Sequence, residues 1–283
     1  MSLGFQRIET ATVVSGTNVF SISFGELMDR LPMWSIYPVT LALAMLAIEA
    51  GYLLGKRWQR RSHVSKEGAV GAMTGSTLGL LAFLLAFITG LAVNRFDNRR
   101  SLVVEEANAI GTTYLRAGFL DETARDHSRD LLREYVQIRL DAPDSSELES
   151  VIVRSEEIQN ELWTTAEIIA RDNMDSPVIA TYIETLNQMI DLHAKRVIAI
   201  TSSRIPGSIW TGIYIVAGLS MVLVGMLSSF GERPNWLATI LLALVFAAVL
   251  TLIVDLDRPE QGLLTVSQQA LLDLQAQIRA WSP

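Results

Sequence analysis

Residues 70–117 read VGAMTGSTLGLLAFLLAFITGLAV and run without a break into NRFDNRRSLVVEEANAIGTTYLRA, and this stretch decides the fold. Val70 to Val93 carries no charge. At a helical rise of about 1.5 Å per residue it is long enough to cross roughly 30 Å of hydrocarbon. The continuation is polar, yet Val103, Ala107, Ile110 and Tyr114 recur at spacings of three and four. That spacing predicts one helix that leaves the bilayer and runs on through about Ala117.

Three more runs have comparable length and character: Trp34 to Leu54, Ser208 to Ser228 and Asn235 to Val254. Four such runs in 283 residues, with 50% hydrophobic residues and a mean hydropathy of +0.31, mark an integral membrane protein rather than a soluble domain. The expected fold is all-α. An N-terminal segment, 1–33, is expected to be poorly ordered. A first transmembrane hairpin covers 34–93 (spans 34–54 and 70–93), an acidic helical-bundle domain covers 94–207, a second hairpin covers 208–254 (spans 208–228 and 235–254), and an amphipathic tail covers 255–283. The first span serves as the signal anchor, since no cleavable leader precedes it.

Within the insert, Leu131, Leu132, Tyr135 and Val136 share one face of a predicted helix from Glu122 to Leu140, which Pro143 ends. Asp144 with Glu147, or Ser146 with Glu149, offers capping chemistry for a helix bearing Leu148, Val151, Ile152, Ile158, Leu162, Ala166 and Ile169. Asp175–Ser176–Pro177 starts another. It carries Ile179, Ile183, Leu186, Ile190 and Val197 until Ile205–Pro206–Gly207 interrupts it. Together with the end of the long helix these predict an antiparallel bundle. In the tail, Ser267 caps a stretch bearing Leu271, Leu274 and Ile278.

The 30 acidic and 23 basic residues give a net charge of -7, all of it in residues 94–207, where 20 acids face 13 bases. With no basic excess, a nucleic-acid partner is not expected. The absence of cysteine excludes disulfides, thiolate metal sites and cysteine nucleophiles. His63, His127 and His193 lie in separate segments without metal-ligand spacing. There is no phosphate loop, Gly-x-Ser-x-Gly elbow or dinucleotide fingerprint. No catalytic residue, metal or cofactor is expected, and no enzyme. The partners implied are the lipid bilayer, other copies of the chain and an ion. Lys56, Arg57, Arg60, Arg61 and Lys66 crowd the short first loop, so the positive-inside rule places it in the cytoplasm. The bundle and both termini are then extracytoplasmic.

Glu49 is the ionisable residue inside a span, where a carboxylate costs about 2.5 to 3.5 kcal/mol at mid-bilayer. It either senses a proton or cation, beside Thr74 or Ser76, or snorkels toward Lys56 and the headgroups. Gly71, Gly75 and Gly79 form a stripe that a neighbouring backbone can approach closely. Leu80, Phe83, Phe87, Leu91 and Asn94 form another, which is either ordinary packing or, around an oligomer axis, a constriction that gates by dewetting. At the same edge of the bilayer Arg95, Asp97, Arg99, Arg100, Arg204, Asp255, Asp257 and Arg258 converge. They either brace the helices or form an ion vestibule.

These motifs carry a resemblance. Leu80–Leu–Ala–Phe83–Leu–Leu–Ala–Phe87, Asn94–Arg–Phe–Asp–Asn–Arg–Arg100 and Val103–Val–Glu–Glu–Ala–Asn–Ala–Ile–Gly–Thr–Thr–Tyr–Leu–Arg116 resemble the bacterial bestrophin-like domain family. The Asp255–Leu–Asp–Arg–Pro259 segment with Gly262 and Val266–Ser267 is similar to that family's second motif. Bestrophins are pentameric anion channels whose second helix lines the pore before entering a helical domain. The resemblance therefore implies a homo-oligomeric channel of the bacterial inner membrane, pentameric if the plan is shared, with Phe83 and Phe87 at the neck. Two departures stand beside it: the charge bias places the bundle outside, where bestrophins keep theirs in the cytosol, and no acidic cluster matches the calcium clasp of animal members. The reading from a different class is a non-conducting membrane scaffold or sensor whose bundle binds a ligand or partner protein.

Overall fold

The computed structural model describes residues 31–60, 67–141, 148–173, 175–201, 204–231, 236–258 and 264–281. Among them are eight helices and no strand: α1 (Met33–Gln59), α2 (Glu67–Ala117), α3 (Glu122–Leu140), α4 (Leu148–Asp172), α5 (Pro177–Thr201), α6 (Gly207–Ser228), α7 (Trp236–Asp257) and α8 (Gln269–Trp281). Four of them, α1, α2, α6 and α7, are long and apolar enough to cross a membrane. The anticipated Asp144, Ser146 and Glu147 caps, the helix-ending Pro143, His63, Arg61, Lys66, Pro259 and Gly262 lie outside the described residues, as do residues 1–30.

The 51-residue α2 belongs to two cores. In the membrane layer its buried stripe, Val70, Thr74, Leu81, Ile88 and Ala92, repeats at four and seven and packs on α6 and α7. Consecutive spans are joined as hairpins in sequence but do not pack as hairpins. α1 and α2 each lie against α6 and α7, so spans that follow one another stand diagonally across the layer.

The physical reason lies in two glycines. A Cβ at Gly51 would overlap the Val222 carbonyl, and one at Gly225 would overlap the Ile48 carbonyl. α1 and α6 therefore cross backbone to backbone, as small residues allow in lipid. Above that crossing the Thr40 and Tyr214 hydroxyls share a 3.1 Å hydrogen bond. Below it Gln59 Nε2 donates to the Ser229 carbonyl at 3.0 Å.

Beyond the membrane, α2 packs with α3, α4 and α5 as a four-helix bundle, and α8 lies along α2 and α3. The expected apolar faces are buried here: Val103, Ala107, Ile110 and Tyr114 from α2, Leu131, Leu132, Tyr135 and Val136 from α3, Ile158, Leu162 and Ala166 from α4, Leu186 and Met189 from α5, and Leu271, Leu274 and Ile278 from α8. Asp121 caps α3 by accepting the Ala124 N–H at 3.1 Å. Ser267 does the same for α8 through the Gln269 N–H at 3.2 Å.

Candidate functional site

Because α2 needs only one stripe to hold the membrane layer, its opposite side is left open. Leu80, Phe83 and Phe87 are 52%, 67% and 59% exposed in the protomer. Asn94 is exposed too, whereas Leu91 is half-buried and leans on the membrane core. A Cβ at Gly75 or Gly79 would meet nothing within 4 Å, and one at Gly71 only Leu227 Cδ1 at 3.7 Å. The glycines of the second span thus have no close neighbour among the described residues. The close crossing is made by Gly51 and Gly225 instead.

At the bundle edge the structure joins part of the charged set. Arg95 Nη1 lies 3.5 Å from Asp257 Oδ1. Asp257 also accepts the Ile205 N–H, at 3.0 and 3.2 Å. Arg99 is buried and donates to the Leu256 carbonyl at 2.6 Å. Arg258 donates to the Leu31 carbonyl at 2.7 Å, and Asp255 accepts the Leu264 N–H at 3.2 Å. The buried members of this set tie α2 and α7 to the segments entering and leaving the layer. Asp97, Arg100 and Arg204 stay exposed. Glu49 is exposed on α1. Thr74 donates to the Val70 carbonyl and Ser76 to the Ala72 carbonyl, while Lys56 sits 4.6 Å over the Tyr52 ring.

A second polar centre, inside the bundle, was not anticipated from the sequence. Glu106 of α2 is fully buried and pairs with Arg196 of α5 and, at 3.3 Å, with Arg139 of α3. Tyr135 donates its hydroxyl proton to Glu106 Oε1 at 2.8 Å, because an ionised carboxylate only accepts. The Tyr135 oxygen then accepts from Gln159 Nε2 at 3.3 Å and from His193 Nδ1 at 3.0 Å. This fixes the neutral imidazole with its proton on Nδ1. Arg196 reaches on to Gln268, before α8, at 3.0 Å.

Burial works to raise the Glu106 carboxyl, but Arg139, Arg196 and the Tyr135 hydroxyl outweigh it and hold the group below its ordinary value. Burial, with Arg139 beside it, pulls His193 down to about 4. Burial and the Glu106 charge push the Tyr135 phenol well up. The signal available in sequence was one of period. Glu106 falls among Val103, Ala107 and Ile110 on the buried stripe, as His193 falls between Met189 and Arg196. Among the described residues no group of three or more carboxylates and histidines is placed to hold a metal ion.

The family's sequence pattern matches over residues 41–271, under the description Bestrophin-like domain. The chain belongs to the bestrophin-like domain family. No curated protein matches this bestrophin-like chain. Among solved structures it is similar to a bacterial Bestrophin homolog from Klebsiella pneumoniae, seen in several single-residue variants. One aligns with a TM-score of 0.63 and 12% identity over 88% of this chain and 98% of that one. Another gives 0.62 and 12% over 87% and 97%. A structure described as a membrane protein gives 0.60 and 13% over 86% and 98%. At such identity the likeness shows a shared fold.

Proposed function

We propose that this bestrophin-like protein is one protomer of an oligomeric ion channel of the bacterial inner membrane, with α2 around the axis. The observation that carries this reading is the open face of α2. The helix that holds both cores together exposes Phe83 and Phe87 and the glycines beside them, and nothing among the described residues covers them. Around a closed axis, five-fold as in bestrophins, Phe83 and Phe87 form apolar rings of the kind that gate by dewetting. Leu80 and Asn94 bracket the rings, and the exposed charges of the membrane edge form the vestibule. The helical domain, 94–207, stands as an insert between two transmembrane pairs on the extracytoplasmic side. Two cations of this insert, Arg99 and Arg196, are consumed by internal partners, so they weigh little against Lys56, Arg57 and Arg60 in setting orientation.

The test is current across planar bilayers holding the purified protein, wild type beside Phe87→Ala. A pore constricted on α2 gives currents whose size or gating changes in the variant. Silence in both, from folded and inserted protein, refutes the channel and leaves the scaffold or sensor reading. Orientation is tested separately with Glu149→Cys in a chain that has no native cysteine. An impermeant thiol reagent labels it on intact spheroplasts if the bundle faces outward, and only after lysis if it does not.

A further inference from the structure

Where α2 leaves the membrane, positive charge is in excess among the described residues. Arg95 and Arg99 of α2 and Arg204, just before α6, all act on the Asp257 carboxylate at the end of α7. Arg95 lies 3.5 Å from it, and Arg95 and Arg204 both repel the charge of Arg99. Three guanidiniums thus share one carboxylate. Arg100 and Arg258 leave the excess as it is, because Asp97 and Asp255 stand at the same edge. Arg99 itself is only 4% exposed. Its Nη2 donates to the Leu256 carbonyl, but Nε and Nη1 are buried without a hydrogen-bond partner. A guanidinium keeps its charge in any environment and has donors alone, and unmet donors on a buried charge are costly.

The depth of the cluster indicates what meets these donors. Arg95 lies two residues past the uncharged run that ends at Val93, and Arg204 lies three residues before α6 begins at Gly207. Arg258, which follows α7, donates to the Leu31 carbonyl just before α1. Trp34, at the start of α1, is 79% exposed on this same edge, as in an aromatic belt. The four spans therefore reach their boundary together here, at the level of the lipid headgroups. The anion supplied in quantity at that level is the headgroup phosphate.

We propose that Arg95, Arg99 and Arg204 bind the phosphate of an anionic lipid headgroup. The phosphate enters beside exposed Arg204 and half-buried Arg95, its oxygens accept from the unmet Arg99 donors, and its charge offsets the excess. A headgroup of net negative charge is favoured over a zwitterionic one, whose ammonium would be repelled by the same arginines. The site is on the α7 side of α2, about a third of a turn from Phe87 at 100° per residue. It is separate from the open face and stands whether or not α2 lines a pore. Arg204 then faces lipid, and Asp97 and Arg100 remain for the vestibule.

The test is the rise in melting temperature of the detergent-solubilised protein on titration with phosphatidylglycerol, phosphatidylcholine or inorganic phosphate, for wild type, Arg95→Gln, Arg204→Gln and Arg100→Gln. Each variant is compared with its own lipid-free value, so loss of the Arg95–Asp257 pair does not enter the result. Wild type is expected to gain far more from phosphatidylglycerol than from either other probe. The phosphatidylglycerol concentration giving half the rise increases about fivefold in Arg95→Gln and in Arg204→Gln, the contribution of one arginine at a membrane surface. Arg100→Gln, which removes an exposed arginine of the same edge outside the cluster, keeps the wild-type half-point. Equal stabilisation by phosphatidylcholine, or unchanged half-points in both cluster variants, overturns the site. An equal shift in Arg100→Gln overturns it as well, since the attraction would then come from the overall charge of the edge. An equal response to inorganic phosphate assigns the cluster to a free anion and overturns the lipid.

Discussion

The two cores that share α2 are held by different chemistry. In the membrane layer α1 and α6 approach until the Gly51 and Gly225 backbones meet their partners' carbonyls. In the bundle, large side chains such as Tyr114, Tyr135, Leu132, Leu162 and Met189 fill the centre, and a buried carboxylate with two guanidiniums sits among them. The difference follows from the solvent. Lipid is as apolar as the side chains it replaces, so association there depends on close van der Waals approach. Water rewards burial at about 25 cal/mol per Å², and that surplus lets the bundle tolerate an ionic centre whose desolvation alone is costly.

The sharpest way to break this contrast is Glu106→Gln. It leaves Arg139 and Arg196 buried without their counter-charge, and a loss of about 3–5 kcal/mol is expected, read as a lowered melting temperature of the detergent-solubilised protein. Acid attacks the same centre. His193 titrates at about 4 in the fold against 6.5 unfolded, so neutral His193 stabilises the fold at pH above 6.5. That contribution shrinks as pH falls toward 4 and is worth about 3 kcal/mol when fully lost. Glu106, held below its ordinary value, adds a loss of the same sign at lower pH. His193→Gln should flatten the melting temperature between pH 6.5 and 4.5, and an unchanged slope would show that another group carries it.

The membrane layer answers to volume instead. Gly51→Ala or Gly225→Ala drives a Cβ into a carbonyl and is expected to cost about 1–3 kcal/mol, seen as a lower midpoint of thermal unfolding. The smallest effect is the most discriminating. Gly75→Ala meets nothing within 4 Å and should alter protomer stability by less than about 0.5 kcal/mol. If it shifts the oligomer to smaller species on size-exclusion chromatography, the open glycine face is packed by a neighbouring copy.

Much of this was legible in residue patterns. Long apolar runs, three of them without charge and one carrying only Glu49, gave four spans, and the period of Val103, Ala107, Ile110 and Tyr114 carried α2 out of the membrane. Partner choice was not legible. Gly71, Gly75 and Gly79 look more like a packing motif than isolated Gly51 and Gly225 do, yet the isolated pair makes the crossing, because which glycines meet depends on the arrangement of spans that no single run encodes. Glu105 and Glu106 show the same limit at one step along the chain. They are identical in composition and adjacent, and only the phase of the helix turns one outward and the other into the bundle. The insert's acidity made both look like solvated surface. Reading Glu106 in phase with its apolar neighbours would have flagged it, but naming Arg139, His193 and Arg196 as its companions required two other helices, α3 and α5, to be in place.

The unbroken length of α2, 51 residues with no proline, amounts to a rod of about 76 Å. A rod shared by two layers behaves as a lever. With the Glu106 cluster clamping one arm and Phe83 and Phe87 on the other, a small tilt imposed at the far end of the bundle is delivered to the aromatic residues as a sideways stroke. The protein then has a mechanical route from its helical bundle to its membrane layer that needs no hinge.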